Sequence, residues 1–104
     1  MNFFKKLFFN EKKYQEYLEI VKKDGYALKY VPKKYRTEEL CKIAVNQNGW
    51  VLYYVPEKYK TEEICKIAVQ QDGYALESVP DEYITEELCK IAVQKKDMHY
   101  NVVR

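Results

Sequence analysis

At 104 residues, with 47% hydrophobic and 33% charged positions and only 3 Gly and 3 Pro, the chain has the composition of one folded, helix-rich domain and not of a disordered tract. Its net charge of +2 conceals a gradient: residues 1–48 carry 11 Lys/Arg against 6 Asp/Glu, and residues 49–104 carry 7 against 10. No apolar run approaches the roughly 18 residues that cross a bilayer. The opening MNFFKKLFF, interrupted by Lys5 and Lys6, is too short for a secretory signal, so a cytoplasmic location is expected.

Phe3, Phe4, Leu7 and Phe8 open the chain at helical spacing. Such a segment suits a lid over the first unit of a repeat fold, and its aromatic and basic content also suits a docking or membrane-surface helix. Asn10 is placed to cap a helix over Glu11 to Lys23, in which Tyr14, Tyr17, Leu18 and Val21 form one stripe.

From residue 24 the sequence repeats with a period of 24: Gly25, Gly49 and Gly73; Pro32, Pro56 and Pro80; Thr37, Thr61 and Thr85; Cys41, Cys65 and Cys89. A fixed period of this size marks a solenoid, whose units bury their apolar faces on one another. The period-3.6 pattern ahead of each glycine predicts a left-handed C′ glycine ending the helix, in preference to a hairpin turn.

In the segment after Gly25, alternating Tyr26, Leu28 and Tyr30 suggest a strand, but the copies disagree with it, since Ser78 stands where Tyr30 and Tyr54 do. The aliphatic sets Ala27/Val51/Ala75, Leu28/Leu52/Leu76 and Val31/Val55/Val79 fall at n, n+1 and n+4, which predicts a short second helix, partly 3₁₀. Each proline ends that helix and takes the first position of a short turn (PKKY, PEKY, PDEY), with Tyr35, Tyr59 or Tyr83 packing back between units. Thr37, Thr61 and Thr85, each followed by Glu-Glu, then cap the long helices. Leu40, Cys41, Ala44 and Val45 and their equivalents form the buried stripe. After Val93 the pattern decays: Asp97 stands where glycine is expected, and Met98 to Arg104 resemble a truncated second helix, with Tyr100, Val102 and Val103 closing the end.

The expected fold is therefore all-α: a short right- or left-handed α-solenoid of about three 24-residue units, each a helix plus a short helix, with terminal caps. One domain spans 1–104, with an N-terminal cap and first helix (1–23), repeats (24–93) and a C-terminal cap (94–104).

The string TEELCKIAV, followed by Gly-Tyr-Ala-Leu and Val-Pro-x-x-Tyr, resembles the bacterial helical-repeat family known as domain of unknown function 4116, over roughly Asp24 to Val93. It is also similar to leucine-rich variant repeats, which alternate α and 3₁₀ helices. The resemblance implies a helical solenoid with a binding role, and brings no catalytic residues with it.

Chemistry-bearing constellations are missing from the sequence. His99 is the one histidine and Ser78 the one serine, and no phosphate loop or metal spacing accompanies them. The three cysteines, 24 apart, fit neither a disulfide framework nor a zinc site, and buried reduced thiols are expected. No cofactor is expected and the chain is not expected to be an enzyme.

Positions that differ between copies while the core stays fixed are the candidate partner-facing surface: Tyr26, Lys29, Tyr30, Lys33, Lys34, Arg36, Trp50, Tyr53, Tyr54, Lys58 and Lys60. The loops run from basic PKKYR through PEKYK to acidic PDEYI. Aromatics beside basic residues suit protein hot spots, which points to a non-catalytic protein-interaction module, with Lys33, Lys34 and Arg36 meeting an acidic patch. A narrower expectation is a small inhibitor or regulator of a larger bacterial complex, of the phage anti-defence or anti-CRISPR type. The alternative is RNA or single-stranded DNA binding by the basic, tyrosine-rich N-terminal half. Phe3, Phe4 and Phe8 offer a surface for homodimerisation.

Overall fold

The computed structural model describes the backbone of residues 8–101 and the side chains of residues 8–95. The side chains of Phe3, Phe4, Leu7, His99, Tyr100, Val102 and Val103 lie outside the described residues. Among the described residues every element is helical, so the strand suggested by alternating tyrosines does not form. Four α-helices, α1 (Glu11–Lys23), α2 (Glu38–Gln47), α3 (Glu62–Gln71) and α4 (Glu86–Asn101), alternate with six-residue 3₁₀ helices, η1 (Gly25–Tyr30), η3 (Gly49–Tyr54) and η5 (Gly73–Ser78). Each of these is followed by a single 3₁₀ turn: η2 (Lys33–Tyr35), η4 (Glu57–Tyr59) and η6 (Asp81–Tyr83).

The pivot of each unit is an Asx-Gly pair. Asp24, Asn48 and Asp72 sit in extended conformation at the ends of α1, α2 and α3. Each closes its helix through its own backbone N–H, which donates to Ile20, Ala44 or Ala68 O. Its side chain then starts the 3₁₀ helix: Asp24 Oδ1 accepts from Tyr26 N at 3.0 Å, Asn48 Oδ1 from Trp50 N at 3.0 Å and Asp72 Oδ1 from Tyr74 N at 2.9 Å. One residue thus serves two helix ends.

The glycines next to these caps do not take the expected left-handed conformation: no glycine among the described residues has positive φ. Space is the requirement instead. A Cβ at Gly25 would lie 2.6 Å from Ala44 O on the next unit's α-helix, and one at Gly49 would collide with Ala68 O. The prolines are also displaced by one place from the expected turn start: Pro32, Pro56 and Pro80 precede their 3₁₀ turns as N-caps, with ψ near 143°. The residue before each is held extended, as Val31 is at ψ 126°, and that ends the longer 3₁₀ helix.

The α-helices start on threonine. Thr37 and Thr61 Oγ1 accept from Leu40 and Ile64 N at 3.2 Å, and Thr85 Oγ1 accepts from Leu88 N at 3.1 Å. Paired glutamates in each first turn complement the helix dipole. Consecutive α-helices stack into one layer and η1, η3 and η5 into a second, each long 3₁₀ helix wedged between the α-helix before it and the one after. Between the layers run the fully buried columns Leu28/Leu52, Leu40/Ile64, Cys41/Cys65, Ala44/Ala68 and Val45/Val69. Each large aliphatic member stabilises the stack by about 1.5–3 kcal/mol.

The two ends depart from this regularity. At the N-terminus Phe9 packs its ring 5.2 Å from Tyr14 and 4.9 Å from Tyr35, and the Tyr35 hydroxyl accepts from Asn10 N at 3.0 Å. Tyr14 Oη lies 2.6 Å from Thr37 Oγ1 and donates to Glu39 Oε1 at 3.0 Å, tying α1 to the start of α2; burial raises its phenol above the usual range. At the C-terminus the expected truncated second helix does not appear. Lys96 and Asp97 stand where the Asx-Gly pair would, so the position offers no capping side chain followed by glycine, and α4 runs on to Asn101. Val93, equivalent to the fully buried Val45 and Val69, is 56% exposed.

Candidate functional site

The outer surface of the 3₁₀ layer is set by the period of that helix. With three residues per turn, positions i and i+3 eclipse, so each long 3₁₀ helix presents one two-residue rung. The rungs are Tyr26 with Lys29, Trp50 with Tyr53, and Tyr74 with Glu77, and all six side chains are exposed. The middle rung is the aromatic one. Trp50 and Tyr53 have centroids 5.7 Å apart, Tyr53 and Tyr54 meet edge to face at 5.1 Å, and Trp50 and Tyr54 lie at 6.0 Å. Tyr53 is 62% exposed and Tyr30, on η1, 75%, with the Lys29 ammonium 4.9 Å from the Tyr30 ring centre.

The candidate residues therefore divide. Tyr26, Lys29 and Tyr30 come together on η1, and Trp50, Tyr53 and half-buried Tyr54 on the adjoining η3. Lys33, Lys34 and Lys58 are exposed on the single turns; Lys34 donates to Phe8 O at 2.8 Å, and Lys34 and Lys58 lie near the Tyr35 and Tyr59 rings. Arg36 and Lys60 point inward, to the gaps between successive units. Arg36 clips the first gap shut, donating from Nε to Val31 O at 2.7 Å, from Nη1 to Tyr54 O at 2.9 Å and from Nη2 to Lys29 O at 3.2 Å. Lys60, its equivalent, keeps only 9% of its side chain exposed and donates to Glu57 Oε1 at 3.1 Å.

Among the described residues the second gap has no such clip onto main-chain carbonyls. Between η3 and η5 lies a groove of about 560 Å³ whose lining includes Tyr53, Glu57, Lys60, Glu77, Ser78 and Asp81. Of these, the sequence pattern singled out Tyr53 and Lys60 as candidates; the groove itself had one sequence signal, the replacement of a tyrosine by Ser78.

Two of the three thiols, Cys41 and Cys65, are buried. Burial pushes Cys41 up to about 12 and Cys65 up to about 11, so both stay protonated and non-nucleophilic at neutral pH. Among the described residues no group of three or more His, Cys, Asp or Glu converges as a metal site, and no helix is long and apolar enough to cross a membrane.

The family model described as a domain of unknown function (DUF4116) matches the chain twice, over residues 17–60 and 37–84. The chain belongs to this family. The two matches end 24 residues apart, one repeat period, and together take in η1 through η6. No curated protein and no solved structure matches the chain.

Proposed function

We propose that the chain is a non-catalytic, cytoplasmic protein-interaction module that docks a protein partner on the outer face of its 3₁₀ layer. The observation that carries the reading is the Trp50, Tyr53 and Tyr54 ring cluster, held at fixed spacing by η3, with Trp50 and Tyr53 exposed and Tyr54 half-buried beside them. Tyrosine and tryptophan supply large contact area at low entropic cost and dominate interface hot spots. A helix that already fixes their orientation lowers the ordering cost of binding. The flanking Lys29, Lys33 and Lys34 favour a partner with an acidic patch beside the aromatic contact. On this reading the protein acts by occupying a surface of a larger bacterial complex, as an inhibitor or regulator, the anti-defence type being its narrowest form.

The same basic and aromatic end favours a second reading, stacking on bases of single-stranded nucleic acid, and the test separates the two. Tagged chain is used to capture partners from host lysate, with and without nuclease. A stoichiometric protein that survives nuclease and is lost with Trp50→Ala supports the module. Recovery confined to the untreated half supports nucleic-acid binding, and protein capture unaffected by Trp50→Ala removes the aromatic face from the account.

A further inference from the structure

We propose that the gap between η3 and η5 is a guanidinium-binding groove, taking one arginine side chain from an extended segment of a protein partner at the place that Arg36 fills one unit earlier. The inference rests on the interaction-module reading and adds the chemistry of the partner.

The first gap supplies the template. Arg36 is held there by the carbonyls of Lys29, Val31 and Tyr54. Advanced by the 24-residue period, those acceptors become the carbonyls of Tyr53, Val55 and Ser78. Lys60 stands at the arginine's position, but its ammonium donates to Glu57 Oε1, and among the described residues no hydrogen bond joins it to this set. An arginine site thus recurs without its arginine.

Shape and charge change in the same direction. Ser78 takes the place of Tyr54 in the lining of the groove of about 560 Å³, so no ring stands at that position. In the first gap Lys29, Lys33 and Arg36 outnumber Glu57. In the second, Glu57 and Lys60 neutralise one another and Glu77 and Asp81 remain, neither with an ion-pair partner among the described residues. Exposed Tyr53 forms one wall, a face on which a planar guanidinium stacks. Arginine fits this combination better than lysine, because its fork of five donors can reach several oxygens at once and it is less strongly hydrated than an ammonium.

The test is an amide-resolved NMR titration of the full chain with tetra-arginine, tetra-lysine and tetra-glutamate peptides at low salt. Saturable shifts at Tyr53, Lys60 and Ser78 are expected with tetra-arginine, with tetra-lysine about five-fold weaker and tetra-glutamate silent. Lys60→Arg, which supplies the guanidinium from within while keeping the charge, is expected to abolish binding. The Glu77→Gln/Asp81→Asn double variant is expected to weaken it about five-fold. The double variant is first shown to melt like the parent, and Lys60→Arg to melt no lower than it. Binding unchanged in Lys60→Arg, equal binding of tetra-lysine, or no saturation with millimolar tetra-arginine overturns the proposal. If these fail while Trp50→Ala still removes nuclease-resistant capture, the groove is lost and the interaction module stands; if capture is also indifferent to Trp50, both fall.

Discussion

The two layers of this solenoid have been held to different rules. In the α layer the inward residues barely vary: Leu40, Ile64 and Leu88 at one position, cysteine at the next, then Ala44, Ala68 and Ala92. In the 3₁₀ layer the inner Leu28, Leu52 and Leu76 repeat as strictly, while the outer rung changes from Tyr-Lys to Trp-Tyr to Tyr-Glu. The difference arises from what each position touches. An inner side chain packs on its own copies above and below, so one substitution disturbs two interfaces. An outer rung meets solvent and is free to diversify. The fold thus separates the surface that builds the stack from the surface available to a partner, and substitutions on each side should behave accordingly.

The largest effect is expected where layers meet most closely. Gly49→Ala places a methyl group against the Ala68 carbonyl, a backbone atom that yields only if two units move apart. We expect a loss of about 3 kcal/mol, measured as a lower urea midpoint at unchanged slope. A second pair of variants separates the two gaps. Arg36→Met removes three donors from main-chain carbonyls and should cost about 2 kcal/mol, since hydrogen bonds from charged groups contribute about 1.5–3 kcal/mol. Lys60→Met removes an ion pair whose glutamate is largely exposed and should cost under about 1 kcal/mol. Equal costs would erase the distinction between a clipped gap and an unclipped one.

A further effect is expected from pH. Burial raises Cys41 from 9.0 to about 12, so between those values the folded chain holds a proton that the unfolded chain releases. That stability is intact below pH 9 and declines as pH rises towards 12. The melting temperature should therefore fall between about pH 9 and 11, less steeply in Cys41→Ala; a parallel fall in that variant would assign the loss to other groups.

The repeat was legible in sequence because its signals are local. Thr37, Thr61 and Thr85 cap helices a few residues away, and the columns of Leu, Cys, Ala and Val arise from spacing alone. The glycine role was not legible, since an Asx-Gly pair looks the same whether the glycine must adopt positive φ or must lack a Cβ. Ala44, the residue that decides between them for Gly25, lies in the next unit. The intramolecular role of Arg36, expected to meet an acidic patch on a partner, was not legible for a related reason: its acceptors are main-chain carbonyls, which no side-chain pattern reveals. The groove was half-legible, because Ser78 was visible as a break in a tyrosine pattern, but its consequence depends on Lys60 choosing Glu57 over the carbonyls equivalent to those that hold Arg36.

The account stands most directly on Tyr53→Ala, with thermal melting and partner capture measured on the same preparation. Tyr53 is 62% exposed and belongs to the outer rung, so melting should move by no more than about 3 °C, the equivalent of about 0.5 kcal/mol, while nuclease-resistant capture is lost. A large drop in melting temperature, or capture that persists without the ring, would contradict the division between a layer that builds and a layer that binds.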